Sequence, residues 1–87
     1  MQSKITIYSS NNCHFCVKAK RLLDQKGLKY KEINIQTNPE YRDEMLSKSN
    51  GKRTVPQIFI EDLHVGGFDV LVKFSSNGKL DSYLPNG

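Results

Sequence analysis

The sequence of 87 residues is long enough for one domain with one hydrophobic core, and we predict a single domain over residues 1–87. A quarter of the residues are charged and 37 % are apolar, without a long polar or repetitive tract, so the composition excludes a disordered chain. The net charge of +4 comes from scattered lysines and arginines rather than a basic stripe, which argues against nucleic-acid binding.

The first part of the chain predicts a strand, a helix and a second strand. Apolar and polar residues alternate over residues 5–8, as in a strand with two different faces. After a polar loop, apolar residues recur at three- and four-residue spacing, which predicts a helix over residues 13–26 that Gly27 ends. The apolar positions of residues 30–35 predict the second strand.

The middle of the chain predicts a second helix and a third strand. Asn38 and Pro39 are typical of a helix cap and a first helical residue, and this helix is expected to end near Ser47. A polar turn then leads to a strand over residues 57–60.

The last part of the chain predicts a hairpin and a third helix. A two-residue connection joins the third strand to a short fourth strand over residues 63–65, which Gly66-Gly67 breaks. Asp69 is expected to cap a helix that ends at Asn77-Gly78, and a final turn is expected over residues 80–84.

Together these elements predict an α/β fold with a four-stranded mixed sheet and helices on both faces. The first two strands are joined through a helix and should be parallel, whereas the last two form a hairpin and must be antiparallel. Tyr41, Phe59 and Phe74 are predicted to lie in the core, and His64 is expected to have a structural role.

The chain has two cysteines, Cys13 and Cys16, which are separated by two residues. A disulfide that stabilises a secreted domain closes a longer loop, so this spacing favours redox chemistry over a structural bridge. The first residues lack the apolar run of a signal peptide, and no segment approaches the roughly 18 apolar residues of a membrane span. We therefore expect a cytoplasmic protein that does not bind membranes.

The predicted position of this pair, between a strand and a helix, assigns different roles to the two cysteines. A helix N-terminus carries unpaired N–H groups and partial positive charge, which stabilise a thiolate at Cys13. Cys16 is expected one turn further into the helix, where it is more buried but can form a disulfide with Cys13. Cys13 is therefore predicted to attack and Cys16 to resolve. The helix terminus should chiefly assist Cys13 as a leaving group, because a larger thiolate fraction and a lower nucleophilicity nearly cancel.

A zinc site is the alternative interpretation of the cysteine pair. Two further ligands would have to come from His14 and His64, and the sequence lacks a second Cys-X-X-Cys or paired histidines at zinc-finger spacing. We therefore predict no metal.

Three blocks of sequence resemble the dithiol class of the glutaredoxins. They are Cys13-His14-Phe15-Cys16, Thr54-Val55-Pro56-Gln57-Ile58-Phe59-Ile60 and His64-Val65-Gly66-Gly67-Phe68-Asp69. The resemblance spans nearly the whole chain and implies a thioredoxin-like fold with sheet order 2-1-3-4. It also implies a monomeric glutathione-disulfide oxidoreductase that reduces protein disulfides and mixed disulfides between glutathione and proteins. Glutathione would be the cosubstrate, and no cofactor would be bound permanently.

The same resemblance implies which residues bind glutathione. Val55 would precede a cis proline and offer its backbone amide and carbonyl to the cysteinyl part of the substrate. The start of the third helix would receive the γ-glutamyl carboxylate, and Arg53 or Lys52 the glycyl carboxylate. The implied set is Phe15, Arg53, Thr54, Val55, Pro56, Gly67, Phe68 and Asp69. Taken alone, these residues are equally consistent with a turn, a helix cap and solvated loop charges.

The sequence departs from the family pattern at three places. His14-Phe15 stands where the family often has proline and tyrosine, Ser10 where many members have lysine, and Val70 where aspartate is common. Asp69 would then have to supply the partner for the ammonium group of glutathione. His14 is either a cation that favours the thiolate or an exposed polar side chain.

Two other functions stay open at the level of sequence. A glutaredoxin-like redoxin can take electrons from thioredoxin reductase and serve ribonucleotide reductase, but its usual Trp-Ser-Gly-Phe-Arg-Pro segment is missing here. A glutathione-bridged iron-sulfur carrier is a dimer in which one cysteine of each chain ligates the cluster. Visible absorbance after anaerobic purification separates this carrier from a colourless monomeric enzyme.

Overall fold

A four-stranded mixed sheet organises the chain in the computed structural model, which describes residues 3–83. The strands are β1 (Ile5–Ser9), β2 (Lys31–Asn34), β3 (Gln57–Ile60) and β4 (Leu63–Gly66). β1 pairs with β2 in parallel and with β3 antiparallel, and β3 and β4 form the antiparallel hairpin. The order β2-β1-β3-β4 confirms the predicted topology.

Helices lie on both faces of this sheet, as predicted. They are α1 (His14–Gln25), α2 (Arg42–Lys48) and α3 (Phe68–Ser76), with 3-10 turns at Pro39–Tyr41 and Leu80–Tyr83. The expected final turn over residues 80–84 is thus observed as far as Tyr83, and Leu84 lies outside the described residues. Within residues 3–83, no helix is long and apolar enough to cross a membrane.

Each face of the sheet carries its own apolar cluster, because successive side chains of a strand point to opposite faces. On one face, Ile7 and Ile58 pack with Ala19 and Leu23 of α1 and Leu71 of α3. On the other face, Tyr8, Ile33 and Phe59 pack with Met45 of α2. Strands β1 and β3 are therefore covered on both sides, and the cysteine loop follows directly from the end of β1.

Of the three aromatic residues predicted to be core, Phe59 is buried and Phe74 packs against the first cluster while partly exposed. The prediction for Tyr41 was wrong, since its side chain is 39 % exposed. Tyr41 ends the 3-10 turn that precedes α2, and Met45, one helical turn later, fills the core position instead.

Tyr8 gives a test of this packing. Its side chain is fully buried, and its hydroxyl donates to the Glu44 carboxylate at 2.5 Å. Burial, the hydrogen bond and the charge of Glu44 all raise the pKa of Tyr8.

We expect Tyr8→Phe to lower the free energy of unfolding by about 1–2 kcal/mol, because the Glu44 carboxylate loses its donor. Urea denaturation measures this change, and Tyr41→Phe is the matched control, expected within about 0.5 kcal/mol of wild type. Equal stabilities of the two variants would contradict the assignment.

Candidate active site

Cys13 is the N-cap of α1. Its backbone is extended, with φ −104° and ψ 104°, and the backbone N–H of Cys16 donates to its sulfur at 3.1 Å. The first turn of α1 contains no acidic side chain that would oppose the positive end of the helix dipole. Negative charge on the Cys13 sulfur is therefore stabilised by a hydrogen bond and by the helix field together.

Cys16 lies one turn further along α1. Its side chain is 1 % exposed, whereas Cys13 is only partly buried, and the two sulfurs form a disulfide. The greater burial of Cys16 confirms the sequence-based expectation. An incoming molecule meets the sulfur of Cys13 first.

The loop before Cys13 is held by side-chain hydrogen bonds to the end of β2. Asn34 Nδ2 donates to Asn11 Oδ1 at 3.0 Å, and the Asn11 backbone N–H donates to Gln36 Oε1, also at 3.0 Å. Asn12 has φ 56°, a left-handed conformation that asparagine tolerates better than most residues. This tight turn lets the chain leave β1 and start α1 with Cys13 at its tip.

The segment before β3 lies directly beside this tip. The peptide bond between Val55 and Pro56 is cis, as the resemblance implied, and the Val55 carbonyl oxygen is 3.8 Å from the Cys13 sulfur. The second sequence block therefore meets the first in space, although 42 positions separate Cys13 from Val55.

A groove of about 260 Å³ includes Val55 in its lining. The ring of Phe15, which is 57 % exposed, lies 6.0 Å from the ring of Phe68 and closes one side. The lining residues are Phe15, Thr54, Val55, Pro56, Gly67, Phe68 and Asp69. All the residues that the resemblance implied for glutathione, except Arg53, thus come together in one groove.

The N-terminus of α3 forms the far end of this groove. The prediction that Asp69 caps this helix was wrong, because the helix starts earlier. Gly67 is the N-cap and offers no side-chain hydrogen bond. The Gly67 carbonyl accepts from the Leu71 N–H at 3.1 Å. Asp69 instead stands in the first turn. A Cβ on Gly67 would lie 3.3 Å from Asp69 Oδ1 and 3.7 Å from the Pro56 carbonyl oxygen. A side chain at this position would therefore contact both walls of the groove, tightly at Asp69 and at an ordinary contact distance at Pro56.

Arg53 does not line the groove. It is exposed and borders a small pocket of about 80 Å³ together with Arg42, Met45 and Leu46. Lys18, by contrast, places its ammonium 5.5 Å from the centre of the Phe15 ring, at the groove's edge. A cation at this wall is thus supplied by α1.

Comparison with known proteins agrees with this geometry. The glutaredoxin family model matches residues 5–65. The chain belongs to the glutaredoxin family. Glutaredoxin 1 of Rickettsia conorii is 45 % identical over 83 residues, which cover 94 % of this chain and 81 % of the relative.

Solved glutaredoxins share the fold. A glutaredoxin from Brucella melitensis is 43 % identical with a TM-score of 0.79, and the match covers 93 % of this chain and 87 % of that one. A buckwheat glutaredoxin, solved as a complex with glutathione, is 30 % identical with a TM-score of 0.83, covering 94 % and 76 %. Family membership and the Cys13–Cys16 pair together identify a thiol-disulfide oxidoreductase.

A second cleft of about 430 Å³ is lined by Cys13 itself, and sequence reasoning missed it. Its polar side chains include Lys20 and Glu32, which form an ion pair at 3.0 Å. The hydrogen bond from Ser9, opposed by burial and assisted by Lys20, keeps the pKa of Glu32 below its ordinary value. His14 is exposed and borders the same cleft. Glu32 carried no signal, because a charged residue on an edge strand usually faces solvent.

The lowered pKa of His64 determines how the stability of this glutaredoxin depends on pH. Burial, and then the charge of Lys52, lower the pKa of His64 below its ordinary value of 6.5. The folded state therefore favours the neutral ring, and this stability is present above pH 6.5 and is lost as the pH falls through the folded-state pKa.

We expect the free energy of unfolding to fall more steeply in wild type than in His64→Gln when the pH is lowered from about 7.5 to about 5. Urea denaturation at the two pH values measures both slopes. Glutamine does not titrate, and all other titratable groups are the same in the two proteins. The difference between the two slopes therefore measures the contribution of His64. Equal slopes would contradict the depressed pKa of His64.

Proposed function

We propose that this chain is a glutathione-dependent oxidoreductase that reduces protein disulfides and mixed disulfides between glutathione and proteins. The observation that carries the proposal is the groove beside Cys13. Val55 adjoins both the Cys13 sulfur and the groove, which then runs to the N-terminus of α3. A tripeptide joined to Cys13 through its own cysteine would lie along this path. The buckwheat relative, solved with glutathione, supports this choice of ligand.

The reaction follows from the unequal exposure of the two cysteines. The Cys13 thiolate attacks the glutathione sulfur of a mixed disulfide, and the substrate protein leaves as a thiolate that takes up a proton. Cys13 is then joined to glutathione. A second glutathione thiolate attacks the bound glutathione sulfur, which releases glutathione disulfide and returns Cys13 as a thiolate. The N-terminus of α1 stabilises Cys13 whenever it leaves.

Cys16 supplies the second route. After losing its proton, it attacks the Cys13 sulfur of a mixed disulfide, expels the bound thiolate and forms the Cys13–Cys16 disulfide. Two molecules of glutathione then restore the two thiols and leave as one glutathione disulfide. A protein disulfide, which leaves the substrate tethered through Cys13, is resolved by this route.

The ends of glutathione would be recognised by charge. The free N–H groups at the start of α3 suit the γ-glutamyl carboxylate, and the Asp69 side chain suits the neighbouring ammonium group. Arg53 would meet the glycyl carboxylate only if its exposed side chain turned towards the groove. We infer that the protein works as a monomer in the cytoplasm, where glutathione is kept reduced.

The two cysteines should respond differently to substitution. We expect Cys13→Ser to abolish turnover of a glutathionylated peptide, measured by coupling to glutathione reductase and NADPH. Cys16→Ser should retain kcat within about threefold, because a second glutathione resolves the Cys13 adduct directly. Activity that survives in Cys13→Ser would sink the proposed mechanism.

The far end of the groove is tested by Asp69→Asn. We expect this change to raise KM for the glutathionylated peptide about three- to tenfold, because the ammonium group of glutathione loses its charged partner. Asp62→Asn is the matched control, since Asp62 is an exposed carboxylate in the turn between β3 and β4. If the two variants have the same KM, Asp69 does not contact the substrate.

A further inference from the structure

A line of hydrogen bonds runs behind the groove from β4 to the loop that precedes β3. His64 Nε2 lies 2.7 Å from Gln57 Oε1. Gln57 Nε2 in turn donates to the Thr54 carbonyl oxygen at 2.9 Å and to Thr54 Oγ1 at 3.3 Å. Gln57, the central member, is 3 % exposed, whereas Thr54 is exposed and His64 is half-buried. Because the Gln57 amide is buried and bonded at both its oxygen and its nitrogen, it connects His64 to Thr54 in one geometry.

The direction of each hydrogen bond fixes the protonation of His64. The Thr54 carbonyl can only accept, so the NH₂ end of the Gln57 amide must face it. Gln57 therefore presents its oxygen to His64, and the ring nitrogen at that contact must carry a proton. Burial and the charge of Lys52 favour a neutral ring. A neutral ring that donates from Nε2 has no proton on Nδ1.

The consequence for the groove follows from peptide geometry. The Thr54 carbonyl and the Val55 N–H belong to the same planar trans peptide unit and point in opposite directions. When Gln57 holds the carbonyl towards the interior, the Val55 N–H is turned away from Gln57. Thr54 and Val55 both line the groove, and β4 leads directly into Gly67, on its other wall.

We propose that His64 is a positioning residue: acting through Gln57, it orients the Thr54–Val55 peptide unit so that the Val55 N–H meets the backbone of the substrate's cysteine. This inference rests on the proposed function, because it names the group that the same groove uses to align its substrate. His64 itself touches neither the substrate nor the reacting sulfurs.

A purely structural role is the competing explanation, because the His64 ring also stacks on Phe59, with centroids 4.8 Å apart and an angle of 25° between the planes. Two variants separate the roles. His64→Phe keeps an aromatic ring for Phe59 and removes the donor. His64→Gln removes the ring and keeps an N–H donor on a side chain of similar reach. Positioning requires the donor, whereas packing requires the ring.

The experiment measures kcat/KM for a glutathionylated peptide in wild type and both variants. We expect a fall of about three- to tenfold in His64→Phe and a change of less than twofold in His64→Gln. Alkylation of Cys13 by iodoacetamide, which does not need the groove, should differ less than twofold among the three proteins. In reduced wild type, long-range ¹H–¹⁵N correlations should show a protonated Nε2 and an unprotonated Nδ1.

Several results would overturn the proposal. These are a His64→Phe variant as active as wild type, equal losses in the two variants, and a wild-type ring protonated on Nδ1 instead of Nε2. The spectrum decides alone if either variant fails to fold.

Failure of the proposed function is recognised separately. Wild type would then reduce two peptides with equal kcat/KM: the glutathionylated peptide, and a matched peptide whose disulfide contains no glutathione. Since the Val55 N–H would align any cysteinyl backbone, the ranking of the two His64 variants must hold for that peptide as well. If it does not, the positioning role is wrong.

Discussion

The structure depends on one constraint, the presentation of a sulfur at the N-terminus of α1. The Cys16 N–H bonds to the Cys13 sulfur, and the helix field adds to that bond. A helix start can act in this way only if it is held at the surface and not buried. The sheet provides this support, because β1 is covered on both faces and ends where the cysteine loop begins. The hydrogen bonds that Asn11 accepts from Asn34 and donates to Gln36 then fix the loop.

The groove is built by bringing two distant segments to that sulfur. The antiparallel pairing of β1 with β3 carries the cis peptide bond at Val55 to the Cys13 tip. The hairpin from β3 to β4 returns the chain so that Gly67 and α3 form the opposite wall. The hydrogen bonds from His64 through Gln57 to Thr54 connect these two walls. The pairing of the two central strands thus determines both the position of the nucleophile and the shape of its binding surface.

Where prediction and structure differ, the reason is tertiary. Asp69 is a good cap by composition, yet Gly67 is the N-cap of α3, because β4 ends at Gly66 and the chain enters the helix directly from it. Tyr41 shares a helical spacing with Met45, but its residue ends a 3-10 turn and faces solvent. Glu32 and Lys20 lie 12 positions apart, and they meet only because the fold places Glu32 of β2 beside Lys20 of α1. No local pattern contains these outcomes.

The sequence by itself determined the order of strands and helices, the fold class and the cysteine pair at a helix start. These properties follow from hydrophobic periodicity, glycine and proline positions and residue spacing, all of which are local. Only the tertiary structure decided that Val55 lies 3.8 Å from Cys13, that Arg53 stands outside the groove and that His64 reaches Thr54 through Gln57. Each of these depends on strand pairing, which sets distances between segments that the chain itself keeps far apart. The cysteine motif at a helix start can therefore be predicted from the sequence, whereas the shape of the groove that binds its substrate cannot.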